Sequence, residues 1–378
     1  MSRARNLADL LDANGDVASG ALDNVPPSND ASALTTGTLP VERVPYVGRR
    51  NAVINGGMTI SQRGTAFDFP NQGTGTVYTL DRFKVQSNLP PMTFSIDQVN
   101  DGPDAAGLSY SLKYTTDVAA ASFPDTTSRY HRIRHSIESK NAVHFKNAPC
   151  VLSFWVKSSI TGQFDVAFFA PNNGANNHYV APYTINTANT WEKKTISLTG
   201  PSAIEGGDSV GIDIQFQLAR SGSNYATSTT NVWGSTKLTS TTSTADLATT
   251  TGATFYLTGV QFELGSVATP FEHRSFGEEL ALCRRYYKKN PALQGNFINS
   301  TGGFIAGVGE AIQTMRALPT LTLLNGTDAV HVSHISNYTV TGIDAPHLSY
   351  LRCSMFSSPG GTTPGHFYVD KIAFDAEL

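Results

Sequence analysis

Apolar and polar residues alternate along most of this chain, most clearly in TFYLTGVQFEL, residues 254–264. Phe255, Leu257, Val260, Phe262 and Leu264 are apolar, and Tyr256, Thr258, Gln261 and Glu263 fall between them, the period of a strand with one apolar face. The phase slips at Gly259, which predicts a bulge. Pro270 follows and cannot join a central ladder. Ser275 then stands three residues before Glu278, the spacing of a capping box. Leu280, Cys283, Tyr286 and Tyr287 recur at helical spacing, and Arg284, Arg285, Lys288 and Lys289 crowd the carbonyl end, where cations suit the dipole. The pattern predicts a helix over 276–289, stopped at Asn290-Pro291.

Upstream, short strands are predicted at 52–60, 77–85, 93–99, 109–115, 129–136, 150–158, 164–170, 194–198 and 210–218, with turn residues between them. Helical crossovers are missing, so the class is all-β, with two antiparallel sheets packed face to face. After the helix, strands are predicted at 297–299, 304–308, 320–324, 329–335, 349–356 and 366–374, a smaller C-terminal β domain. Residues 1–48 differ from the rest. Leu7, Leu10 and Leu11 share one helical face, and the small, polar, Pro-punctuated remainder buries too little to fold alone. An extended attachment arm is expected there, with the three leucines as its contact. The division is therefore 1–48 arm, 49–275 sandwich, 276–290 linking helix and 291–378 C-terminal β domain. A Thr/Ser-rich insertion at 221–252 is expected to project as a hairpin or a loop.

Composition narrows the function. Charged residues make up 15% of the chain, below the ~25% usual for globular proteins. The net charge of −3 gives no reason to expect nucleic acid. Cys150, Cys283 and Cys353 are far apart and form no C-x-x-C, so reduced core thiols are expected, with no metal and no cofactor.

Two segments carry a family resemblance. GVQFELGSVATPFEHRSFGEELALCRRYY resembles a recurrent segment of bacteriophage tail-fibre and related virion appendage proteins. NAVINGGMTISQRGT, residues 51–65, and LDRF, residues 80–83, resemble the opening of the same module. The resemblance implies a jelly-roll, carbohydrate-module-like domain in a virion structural protein, usually a homotrimer. The expected partners are then phage tail or capsid proteins through the arm, and a host-surface glycan. The expected location is the virion, after assembly in the host cytoplasm.

Candidate chemistry is sparse. A glycan-degrading spike would need two carboxylates about 5–9 Å apart. Asp165, Asp213, Glu263 and Asp370 are the main ones in the β regions, and no serine elbow or metal motif accompanies them. The expectation is adhesion without catalysis. A glycan-degrading tailspike hydrolase and a purely structural capsid or tail decoration protein are the alternatives. Strand 129–136 places Arg129, His131, Ile133 and His135 on one face, with Tyr130, Arg132 and Arg134 on the other. Basic residues on both faces suggest an edge strand or a subunit contact. Arg132 and Arg134 are candidates for binding acidic sugars, because forked guanidinium donors suit carboxylates. Trp233 in the insertion and Trp155 among the polar positions of its strand are candidate sugar platforms. His178 and Tyr179, in the Asn/Gly-rich NNGANNHY, are candidate loop contacts. Trp191 is expected to pack structurally. Leu280, Cys283 and Tyr287 must cover a surface, either their own sandwich or their copies around a threefold axis, and are the candidate oligomer interface.

Overall fold

A computed structural model gives the conformation of the chain. It describes residues 49–69, 74–88, 92–120, 129–172 and 175–289, then 293–296, 303–307, 315–317, 319–323, 330–332, 339–347, 350–356, 366–369 and 372–378. The expectations for residues 1–48, with Leu7, Leu10 and Leu11, lie outside the described residues, as do strand 297–299 and Asp370.

The strands run β1 (Ala66–Phe69), β2 (Thr74–Tyr78), β3 (Phe83–Asn88), β4 (Thr93–Val99), β5 (Ser111–Val118), β6 (Tyr130–Glu138) and β7 (Pro149–Ser158). They continue with β8 (Gly162–Asn172), β9 (Ala175–Ile185), β10 (Glu192–Thr199), β11 (Val210–Gln217), the short β12 (Ala226–Thr227) and β13 (Ser240–Thr241), and β14 (Thr254–Leu264). One six-stranded sheet has the order β1-β4-β5-β14-β7-β10 and the other β2-β3-β6-β11-β8-β9. Ladder neighbours within both are antiparallel. Most consecutive strands change sheet, so the body is a jelly-roll-like sandwich. Its inner faces supply one contiguous apolar core, including Phe83, Phe94, Phe154, Phe168, Phe216 and Phe262. Cys150 lies in that core with its thiol pushed up to about 12 by burial.

The bulge in β14 falls where the alternation slips. The register against β7 shifts between Thr258 and Gln261, and Gly259 has φ +60°. A Cβ there would approach a Leu108 methyl to 2.7 Å and the Trp155 ring to 3.0 Å. Strand β6, by contrast, is central between β3 and β11, which corrects the expectation of an edge or subunit contact. Its inward basic residues are tolerated in two ways: His131 and His135 sit fully buried, with burial pulling both imidazoles below their ordinary range, and Arg129, just before the strand, pairs with Asp246 at 3.1 Å.

Residues 52–60 form turns, not the expected strand. Side chains replace a ladder there. Asn51 Nδ2 donates to Val260 O (3.0 Å), and its Oδ1 accepts from Val53 N (2.9 Å) and Phe262 N (3.1 Å). Asn55, at φ +62°, donates to Ile60 O (2.8 Å) and Asp81 O (2.9 Å), and accepts from Ile60 N (2.9 Å). Arg274 donates to the Asn51 and Val53 carbonyls and to the Glu272 and Glu279 carboxylates. Glu272 also accepts from Arg50 N and Asn51 N, and Glu279 from Asn55 N. Residues 51–65, 80–83 and 254–287 thus hold one another where the chain enters and leaves the sandwich.

Two α-helices occur among the described residues, α1 (Ser139–Ala142) and α2 (Phe276–Arg284). Ser275 caps α2, its hydroxyl accepting from Glu278 N (3.3 Å). The Glu278 carboxylate does not reach back as a capping box would have it; it pairs with Arg49 at 3.3 Å. Replacing Ser275 by Ala (S275A) is expected to cost about 1 kcal/mol, read as a lower urea midpoint at unchanged slope. An unchanged midpoint would show that the cap adds nothing. The helix stops at Arg284, five residues before the expected end, because Tyr287 is drawn into β15 (Tyr287–Lys289). Leu282, Cys283 and Tyr286 pack on Ile54 and Ile60 of the same chain, with Leu280 and Leu378 against them. Tyr287 is buried beneath the Arg63 guanidinium, which lies 3.6 Å from its ring centre.

The C-terminal region continues with β16 (Leu293–Asn296), β17 (Gly303–Gly307), β18 (Thr320–Leu323), β19 (Val330–Val332), β20 (Thr339–His347), β21 (Tyr350–Phe356), β22 (His366–Val369) and β23 (Ile372–Asp375). Three three-stranded sheets result, β15-β23-β18, β16-β22-β19 and β17-β21-β20. The last residues then return to the jelly roll. Glu377 pairs with Arg82 and Arg63, and Asp375 with Arg63 at 3.0 Å. The Leu378 carbonyl accepts from Tyr78 and Lys84.

Candidate functional site

The Thr/Ser-rich insertion folds back on the sandwich edge. Gly234 exchanges two backbone hydrogen bonds with His178, each 2.9 Å, and Asn231 N donates to Val180 O at 2.9 Å. The insertion thereby adds a short stretch to the free edge of β9. Further along, Asp165 accepts from Thr241 N and the Thr244 hydroxyl, tying the insertion to β8. Between residues 231–233 and β10 lies a groove of about 520 Å³. Trp233 and Tyr179 meet in it with ring centres 5.5 Å apart and planes at 52°. Trp233 Nε1 donates to Thr199 O at 2.7 Å, which fixes the indole. Ser197, Thr199 and Asn231 add hydroxyl and amide groups to the wall, and Val232, 52% exposed, stands at the rim.

His178 and Tyr179 do not sit in a loop, as the Asn/Gly-rich sequence suggested. They belong to β9 and therefore point to opposite faces. Tyr179 turns toward the groove. His178 turns to the outer face of its sheet, stacked on Phe169 with centres 4.6 Å apart. Trp155 is half-buried on the other sheet, across from Lys193 and Thr258, and shares no groove with Trp233. Trp191 packs as expected: its Nε1 donates to Asp101 (3.2 Å), while Lys157 bonds Asp101 and lies over the Trp191 and Tyr256 rings.

The structure brings Arg132 and Arg134 together on the outer face of the second sheet. Cross-strand pairing aligns Gln86, Arg132 and Gln217 in one row, and Lys84, Arg134 and Gln215 in the next. Gln86 Oε1 accepts from Arg132 Nε (3.0 Å), Arg132 Nη2 (2.7 Å) and Arg134 Nη1 (2.8 Å). Gln215 Oε1 accepts from Arg132 Nη1 (2.7 Å), and the Arg132 guanidinium lies 4.5 Å from the Tyr130 ring centre. Arg134 pairs with Asp213 at 2.7 Å. Arg134 and Lys84 hold the Asp213 carboxyl below the usual carboxylate range against its burial. Burial and the neighbouring Arg134 pull the Arg132 guanidinium down to about 9. The glutamines were missed from the sequence, although Gln215 and Gln217 alternate with Ile214 and Phe216 and so announce a polar outward row.

The candidate catalytic carboxylates are otherwise engaged. Asp213 also accepts from Ser136 and Gln215, and Glu263 from Gln261 and Thr269. Among the described residues no three His, Cys, Asp or Glu side chains gather as a metal site.

No family model matches the sequence, and no curated protein matches it. Similar solved structures include the enzymatically active domain of bacteriophage CBA120 tailspike protein 4, with TM-score 0.31 and 14% identity over 57% of this chain and 21% of that one. A CBM4 structure has TM-score 0.29 and 14% identity over 56% of this chain and 99% of its own. The CBM22-1 xylan-binding domain from Paenibacillus barcinonensis has TM-score 0.27 and 14% identity over 53% and 95%. The chain thus spans about a fifth of the tailspike chain it resembles.

Proposed function

We propose that this chain is a virion appendage subunit of the tail-fibre kind that adheres to a host-surface glycan. The observation that carries the adhesive part is the Trp233–Tyr179 groove. A sugar ring presents an apolar C–H face and a rim of hydroxyls. An indole locked by its own N–H bond and flanked by Ser197, Thr199 and Asn231 offers the complementary apolar surface and polar rim. The appendage part is supported by the resemblance of residues 51–65, 80–83 and 259–287. In this reading residues 1–48 join phage tail or capsid proteins, and the working unit is a homotrimer on the virion. Weak contacts at one groove gain avidity from copies on one fibre and from several fibres. The protein holds the glycan and does not cleave it.

The test is a glycan array probed with the purified chain and with Trp233→Ala and Trp233→Phe. Trp233→Ala is expected to lose at least tenfold in affinity with a lower thermal midpoint but a folded chain at the assay temperature, and Trp233→Phe to keep most of the affinity. Equal binding by wild type and Trp233→Ala would sink the groove. Falling viscosity of a bound polysaccharide would replace adhesion by depolymerisation.

A further inference from the structure

We infer that the Trp233 groove takes uncharged sugars and turns away acidic ones, whether uronic, sialic or sulfated. The inference rests on the glycan reading of this groove and adds the class of sugar. Among the described residues no Asp, Glu, Lys, Arg or His lines its volume of about 520 Å³. Its floor is the buried Tyr179, Leu198 and Cys150, between the edge strands β9 and β10. Its walls are exposed: Ser197 and Thr199 on β10, Ser266 just after β14, and Asn231 in the insertion. A ligand therefore has both room and an opening. Each wall side chain can donate and accept, as the hydroxyls of a neutral sugar do. Asn231 is held by its backbone, at φ +61° with its N–H on Val180 O, while its side-chain amide has no partner among the described residues.

The two lining groups that can ionise keep their protons at neutral pH. Burial raises the Tyr179 hydroxyl above its ordinary range and pushes the Cys150 thiol up to about 12. An acidic sugar would thus leave water for a wall with no cation. A carboxylate or sulfate held only by neutral donors over an apolar floor loses more hydration than it regains. The cations of β10, Lys193 and Lys194, stand toward the other end of the strand from Ser197 and Thr199, and Lys194 is already paired with Glu192 at 2.5 Å. Arg132 and Arg134, the expected holders of an acidic sugar, lie on β6, three strands from β9. Arg132 is buried under its bonds to Gln86 and Gln215, and Arg134 is paired with Asp213. The net charge of −3 adds no attraction for an anion.

Titration calorimetry on the full chain decides this. The probes are the neutral glycan bound best on the array and the same glycan oxidised to its uronate. The neutral form is expected to bind at least tenfold tighter, with an affinity that stays level as salt rises from 50 to 500 mM. Ser266→Arg sets a cation on the exposed wall and keeps the Ser266 carbonyl that accepts from Ser197 at 3.2 Å. It should raise uronate affinity several-fold at 50 mM salt and lose that gain at 500 mM, at an unchanged thermal midpoint. A uronate bound as tightly as its neutral parent by the wild type, or no gain in a folded Ser266→Arg, would overturn the charge selection. The groove itself would still stand if Trp233→Ala weakened the neutral glycan. Absence of all glycan binding, or equal binding by Trp233→Ala, would instead overturn the glycan reading on which the selection rests.

Discussion

Taking the protein from pH 6.5 to pH 4.5 is expected to cost the fold about 5 kcal/mol from two histidines alone. His131 and His135 point from β6 into the core. His131 lies edge-on to Phe94 and Tyr114, at 4.8 and 5.3 Å between ring centres, and neither of its nitrogens has a partner. Burial pulls its imidazole down to about 3. His135 is packed beside Phe83, and its Nε2 lies 3.1 Å from Ile54 O and 3.3 Å from Ile54 N, donating to the one or accepting from the other according to its tautomer. Burial and the Arg82 charge pull it well below its ordinary range. The sign follows from linkage. Both folded values are depressed, so below about 6.5 the unfolded chain binds protons that the folded chain refuses. Stability is full above that pH and declines as pH falls, by about 1.4 kcal/mol per unit for each imidazole. Asp81 and Asp246 work against this, because burial raises their carboxyls and the fold takes protons there first. Carboxyls held low by their partners, Asp213 by Arg134 and Lys84 and Glu272 by the Arg50 and Asn51 amides and Arg274, add to the histidine loss toward the acid end of the range. His131→Leu should halve the histidine contribution and raise stability at pH 5 by about 2 kcal/mol. Urea midpoints measured from pH 7.5 to 4.5 on both proteins check it, and parallel curves would refute the assignment to His131.

Glu377→Ala is expected to destabilise the jelly roll by about 3–5 kcal/mol, although Glu377 is the penultimate residue. Its carboxylate pairs with Arg82, whose side chain is 1% exposed. Without it, Arg82 would keep the Ser136 carbonyl and the Tyr286 ring, 3.5 Å from its guanidinium carbon, with no anion to balance the charge. Arg63 would lose one of its two carboxylates. The double variant Arg82→Met, Glu377→Ala should recover much of the loss, since an apolar side chain needs no counter-ion. A cycle over the four proteins measures the coupling by urea unfolding. A Glu377→Ala midpoint equal to wild type would show that the tail is not part of the jelly roll's stability. Removing residues 291–378 takes away the same anion, and with it the partners of β15, so that deletion is expected to destabilise the jelly roll as well.

The β class and the bulge at Gly259 were legible because alternation is a local signal and a phase slip interrupts it visibly. The Ser275 cap was legible for the same reason. The strand expected over 52–60 was not realised because its apolar residues surround Asn51 and Asn55, whose side chains supply hydrogen bonds that a ladder would otherwise make. Nothing in the spacing of Tyr286 and Tyr287 shows that β23 will pull Tyr287 out of the helix, since that partner is some 85 residues away in sequence. β9 was hidden by Asn, Gly and His, which read as a loop. The site divides in the same way. The outward face of β6 was readable from alternation, and so were Arg132 and Arg134. Gln86 and Gln217 depend on cross-strand register, which one strand's sequence does not contain. Trp233 could be named as an exposed aromatic, but its meeting with Tyr179 depends on how the insertion folds back.

The polypeptide enters and leaves the jelly roll at one pole. Arg50 and Asn51 are fastened to Glu272, Arg274 spans Asn51, Val53 and Glu279, and Arg49 meets Glu278. A tension applied between residue 49 and the strands after α2 therefore has a short path through these few ionic contacts. Within the twelve-stranded body the same line meets β14 first, where Asn51 is bonded to Val260 and Phe262, so the middle of one sheet and not a free edge would take up the pull.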